Sequence, residues 1–265
     1  MTALETPARP AGTDDRVAEA GAKVPMLRLI AVELRKLADT RAGLWLLIVI
    51  ALASVATAAI LLLAAPAEEQ TFAGFFGFAQ LPAGVLLPVL GILSMTGEWS
   101  QRTALTTFAL TPQRGRVFGS KLAAAVIIAV LAAASTYVFA AAANLIAIAA
   151  DGNGSWALPW QVLLQCLALQ VLYVLMGSAF GALLMNTPLA IVGFFALPMV
   201  WTILGEAIRS LRTATSWLDI NTTTAPLTEA AMTGGQWARL GVSCAVWILV
   251  PLVAGAVRVL KREVS

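Results

Sequence analysis

Five long stretches of this chain contain no Asp, Glu, Lys or Arg: Ala42–Ala67, Gln70–Gly97, Leu122–Ala150, Gly152–Gly205 and Leu240–Val257. A helix needs about 20 apolar residues to cross the hydrocarbon layer of a bilayer. Each stretch accommodates one crossing, and Gly152–Gly205 is long enough for two, divided at the turn-forming Asn186-Thr187-Pro188. The apolar runs lack period-two alternation, and an open sheet would leave its edge groups unpaired in lipid. The expected fold class is therefore all-α, a polytopic membrane protein with six transmembrane helices near 43–65, 74–97, 121–149, 160–185, 188–206 and 239–258.

Composition agrees. Of the 265 residues, 60% are hydrophobic and 12% charged, against roughly 25% charged in a soluble domain. The mean hydropathy of +0.86 leaves too few polar residues to clothe a water-facing core. Net charge is +3, too small to suggest a nucleic-acid partner. There is no histidine, and the two cysteines, Cys166 and Cys244, fall inside apolar runs. This argues against a zinc site, a His-based triad or a disulfide framework and predicts that both cysteines pack as small apolar residues. Residues 1–25 carry Asp14, Asp15 and Glu19 and do not read as a cleavable signal.

Basic residues set the orientation. All 17 Lys and Arg except Arg209, Arg212 and Arg239 lie before the first span, between the second and third, or after the last. An even number of spans puts those three regions on one side, expected to be cytoplasmic, with both termini. The organisation expected is a disordered tail (1–25), an amphipathic interfacial helix (26–41), a six-span domain (42–260) and a short tail (261–265). Within the six-span domain, a cytoplasmic loop covers 97–120 and an external loop 206–237. In the interfacial helix Leu27, Ile30, Leu34 and Leu37 recur at helical spacing, with Arg28, Glu33, Arg35, Lys36 and Asp39 covering the rest.

No Asp, Glu, Lys or Arg is expected away from the end of a span, which counts against an ion-coupled transporter, and no nucleophile–base pair or ligand cluster suggests an enzyme. Uncharged Gln80, Asn144, Gln165, Gln170 and Ser178 fall within spans. They suit either a substrate path, for which Gln80, Asn144 and Gln170 are the candidates, or hydrogen bonds between helices worth about 1 kcal/mol each. Pro82, Pro88, Pro198 and Pro251 are expected to kink their spans. In the cytoplasmic loop Trp99, Arg102, Thr103, Thr106 and Leu110 share a helical face, and Thr111-Pro112 reads as the start of the third span.

An amphipathic Glu33-Leu34-Arg35-Lys36 helix, then Glu98 and Thr103, then Pro112, Arg114 and Lys121 make up an order that resembles the membrane subunits of ABC exporters of the type-2 permease family. Many members of that family have Gly where this chain has Arg102. The resemblance implies that Glu98, Trp99, Arg102 and Thr103 sit in a coupling helix and Glu33 and Lys36 in a connecting helix, together docking a separate ABC ATPase subunit. The chain has no G-x-x-x-x-G-K-[ST] loop, so ATP and magnesium would be bound by that partner and no cofactor by this chain. The resemblance further implies a second permease copy or paralogue, export of an apolar or amphipathic substrate, and the cytoplasmic membrane of a bacterium. Arg114, Arg116 and Lys121 suit docking or simple topology anchoring equally. A non-transporting membrane sensor or scaffold is the alternative, followed by an ion-coupled secondary transporter.

Overall fold

The computed structural model describes residues 24–101, 113–229 and 232–261. Among the described residues, six helices are long and apolar enough to cross a bilayer, and no strand occurs. In chain order these are α1 (Met26–Asp39), α2 (Arg41–Ala64), α3 (Phe72–Ser100), α4 (Arg114–Ala149), α5 (Trp160–Leu184) and α6 (Thr187–Ala207), then the short α7 (Arg212–Leu218) and α8 (Ile220–Thr224). The last span, Gly234–Lys261, consists of α9 (Gly234–Cys244), a π turn (Ala245–Leu249) and α10 (Val250–Lys261). The amphipathic α1 is too short and too polar to count among the six crossings.

Short polar side chains open these helices. The Thr40 hydroxyl accepts from Gly43 N at 3.2 Å, Thr71 from Gly74 N at 3.1 Å, and Asn186 Oδ1 from Leu189 N at 3.0 Å. Each relieves one of the unpaired N–H groups that every helix start exposes. Asn186-Thr187-Pro188 thus separates two spans, with Met185 in the left-handed region (φ 49°) ending α5. Thr233 and Gln236 close a reciprocal capping box, so the last span begins at Gly234 rather than near 239.

The loop expected over 97–120 is largely helix at both ends. Glu98, Trp99 and Ser100 form the last turn of α3 and do not start a separate coupling helix, while α4 begins at Arg114 and not near 121. Hydropathy marks the part of a helix that crosses hydrocarbon, and polar turns beyond it escape that criterion. Residues 102–112, including Arg102, Thr103 and Thr111-Pro112, lie outside the described residues, as do residues 1–23. At 36 residues, α4 is about 54 Å long at 1.5 Å per residue, against a hydrocarbon thickness of about 30 Å. That surplus is long enough for Arg114, Arg116 and Lys121 to lie beyond the apolar layer.

The centre of the bundle is the α3–α5 pair, flanked by α2, α4, α6 and α10. A Cβ added to Gly177 would lie 2.2 Å from the Pro88 carbonyl oxygen, and one added to Gly91 2.5 Å from that of Val174. The two backbones therefore touch, the close approach that small residues permit in lipid, where no hydrophobic force drives helices together. Large exposed side chains such as Leu63, Val138 and Met199 lie outside this core, as expected of surfaces that face lipid.

The opposite end from α1 is knitted by polar contacts. Gln70 Nε2 donates to the carbonyls of Leu62 and Ala65 at 3.1 and 3.0 Å, satisfying the end of α2. Asp151 and Gly154 turn the chain after α4 with φ of 58° and 62°. The segment expected as a loop over 206–237 carries α7, α8 and two 3₁₀ turns, which fold over that end of the bundle.

Candidate functional site

Two arrangements stand out, one at each end of the bundle. At the α1 end, Lys36 Nζ lies 2.8 Å from Glu33 Oε1 and 2.8 Å from Glu98 Oε1. Lys121 Nζ lies 2.8 Å from Glu33 Oε2 and 3.1 Å from Glu98 Oε1. Two carboxylates and two ammoniums thus close a neutral ring joining α1, the last turn of α3 and the start of α4. The Glu33 and Lys121 side chains are 8% exposed, Glu98 12% and Lys36 40%.

Burying these charges is tolerable because each faces two of opposite sign; one left alone would bear the full desolvation cost. Burial disfavours the charge on Lys36, but hydrogen bonds and attraction from Glu33 and Glu98 outweigh it and hold the ammonium above the ordinary lysine pKa of 10.5.

The sequence pattern assigns Glu33 to the polar cover of the amphipathic helix, and the structure corrects this: Glu33 is buried. The reason is its register. Ile30, Glu33, Leu34 and Leu37 fall at i, i+3, i+4 and i+7, so Glu33 lies on the stripe that packs against the core. Leu27, expected on that stripe, is instead 80% exposed.

Arg116 donates to the carbonyl of Val24 at the start of α1, Arg114 Nη1 to that of Val259 at 3.3 Å, and Arg258 Nη1 to that of Leu183 at 2.6 Å. Trp99 lines a small crevice with Glu98, Arg114, Phe118 and Val259. Of the six residues grouped as a docking surface, the structure brings together Glu33, Lys36, Glu98 and Trp99. Arg102 and Thr103 fall outside the described residues. Lys121, read from sequence as docking or anchoring, is the ring's fourth member. Its signal is a lysine at the very edge of an apolar run.

In the other half, α3, α5 and α6 enclose a cavity of about 780 Å³, roofed by Ile220, Asn221 and Thr228. Gln170 Nε2 donates to Gln80 Oε1 at 2.7 Å, and both line the cavity. Asn144 does not. It is fully buried and donates to the Gly154 carbonyl at 3.0 Å, holding the turn after α4. Gln165 and Ser178 are buried outside the cavity lining. Cys166 borders the cavity as a small buried side chain, while Cys244 is half-buried, and both are free thiols.

Sequence reasoning missed Asp219. Fully buried, it accepts from Thr202 Oγ1 at 3.0 Å, Asn221 N at 3.1 Å and Thr222 Oγ1 at 2.6 Å, starting α8 and tying it to α6. Its signal is an Asp followed by Ile-Asn-Thr-Thr-Thr, a helix-start pattern inside a stretch that otherwise reads as a loop.

The fold defines a multi-pass helical membrane protein. In comparison with known proteins, the chain matches no family model and no curated protein.

Proposed function

We propose that this chain is the permease subunit of an ATP-driven ABC exporter, one six-span half of a pathway completed by a second copy or a paralogue. It would reside in the cytoplasmic membrane of a bacterium, with the α1 end in the cytoplasm. One observation carries the reading. The buried ring gathers Glu33, Lys36 and Glu98, which the resemblance groups as parts of a docking surface, and locks α1 to the adjoining ends of α3 and α4.

Mechanically, an ATPase closing on the segment between α3 and α4 would push both helices and, through the ring, α1 as well. Because the ring is neutral and closed, the three elements respond as one body rather than by bending separately. The cavity lies towards the other end of α3 and α5, where such a displacement would change its access. Energy would come from the partner's ATP chemistry, and a cavity with no charged residue among its described lining supports an apolar or amphipathic cargo.

The test is a mild-detergent pull-down of the tagged chain from its native membrane, followed by mass spectrometry of co-purifying proteins. Wild type is compared with Arg102→Ala plus Thr103→Ala, which keeps all four ring residues, Glu33, Lys36, Glu98 and Lys121. Recovery of a Walker-motif ATPase with wild type and its loss with the folded variant is the expected result. No such ATPase with an intact, folded wild-type chain would overturn the reading.

A further inference from the structure

The cavity between α3, α5 and α6 carries a chemical preference finer than apolarity. Among the described residues no Asp, Glu, Lys or Arg lines it, so an ionised head group entering it would lose its hydration without a partner. Leu81 and Val85 on α3 and Phe195 and Met199 on α6 line it as well, yet are 61%, 52%, 41% and 62% exposed. They form apolar lips on the flank of the bundle, so the cavity opens sideways, where lipid would lie.

Gln170 borders this apolar space and carries a buried polar atom that no described residue satisfies. Gln170 is 1% exposed, and its Nε2 is engaged by Gln80 Oε1, but its Oε1 accepts no hydrogen bond from any described residue. A buried carbonyl without a donor is costly, and a cavity of about 780 Å³ falls in the size range of sites for small organic molecules.

We propose that this cavity binds an uncharged amphipathic molecule whose hydroxyl or amide N–H donates to Gln170 Oε1, brought to the cavity wall by a small turn of that amide, while its apolar part passes between the α3 and α6 lips. The chemistry fits a neutral membrane lipid such as a diacylglycerol and equally a water-soluble neutral amphipath. That the occupant is exported cargo rests on the permease reading; that the site binds it does not, and binding is tested on the purified chain without an ATPase.

The probe is a diazirine-bearing long-chain alcohol, photo-crosslinked to the chain in phosphatidylcholine nanodiscs and mapped by peptide mass spectrometry. Saturable labelling confined to the lining of α3, α5 and α6 is expected. The methyl ether of the same chain should compete about tenfold less well than the alcohol, the change expected for one lost hydrogen bond, and the carboxylate less well still. Gln170→Leu should abolish the preference for alcohol over ether, and Val85→Trp, at an exposed lip, should block labelling.

Competition by diacylglycerol placed in the bilayer identifies a lipid source. Competition only by a short-chain alcohol or amide added from water identifies a soluble one. Unsaturable labelling spread over the lipid-facing helices, or equal competition by alcohol, ether and carboxylate on the wild-type chain, overturns the proposal. The probe series uses the wild-type chain, so either of those results counts against the site even if Gln170→Leu does not fold.

Discussion

Lys121 is a lysine that a hydropathy reading leaves at the edge of a span and that the fold places inside. Its ammonium serves two carboxylates, those of Glu33 and Glu98, and with an 8% exposed side chain it has little water to replace them. Lys121→Met should therefore destabilise the chain by about 3–5 kcal/mol, the usual result of removing one partner from a buried ionic group. Thermal unfolding in detergent measures it. Lys36→Met should cost less, because Lys36 is 40% exposed and water can take over part of its role. In a double-mutant cycle, Glu33→Gln combined with Lys121→Met should lose less than the two singles added, since each single strands the other's charge. Simple additivity would mean that the pair is not coupled.

Among the elements, α3 and α5 depend on backbone contact. Gly177→Ala would bring a Cβ to 2.2 Å from the Pro88 carbonyl oxygen, whereas at Gly84 of the same pair the nearest atom is Tyr173 Cε2 at 3.9 Å. Gly177→Ala should destabilise by about 1–3 kcal/mol through overpacking, while Gly84→Ala should change thermal stability little. Equal melting of the two variants would show that the helices separate freely. The elements were the most legible feature of the sequence, because uninterrupted apolar runs and the Asn186-Thr187-Pro188 turn are local signals. Less legible was where helices continue past the hydrocarbon, as at Glu98–Ser100 and Arg114–Lys121, since polar helical turns leave no mark in hydropathy. The site was legible in part. Glu33, Lys36 and Glu98 stand out through the family resemblance, but their ring with Lys121 joins positions 88 residues apart in sequence. Gln80 and Gln170 stand out as polar residues in spans; nothing local separates them from Asn144, whose partner Gly154 holds a turn.

For the molecule as a whole, the distribution of basic residues predicts which end faces the cytoplasm. In a Cys166→Ala, Cys244→Ala background, Asn153→Cys should react with an impermeant maleimide on intact cells, and Arg28→Cys only after permeabilisation. The reverse pattern would invert the orientation. The ring also has a bearing on how the protein is made. Glu33 and Lys36 leave the ribosome before Lys121, which lies 88 residues beyond Glu33, so until α4 follows, α1 has nothing on it to close upon and its charges stay hydrated. Docking of α1 is then a late assembly event, dependent on correct insertion of two later spans, and an undocked α1 would be the visible mark of a chain whose third crossing had failed to insert.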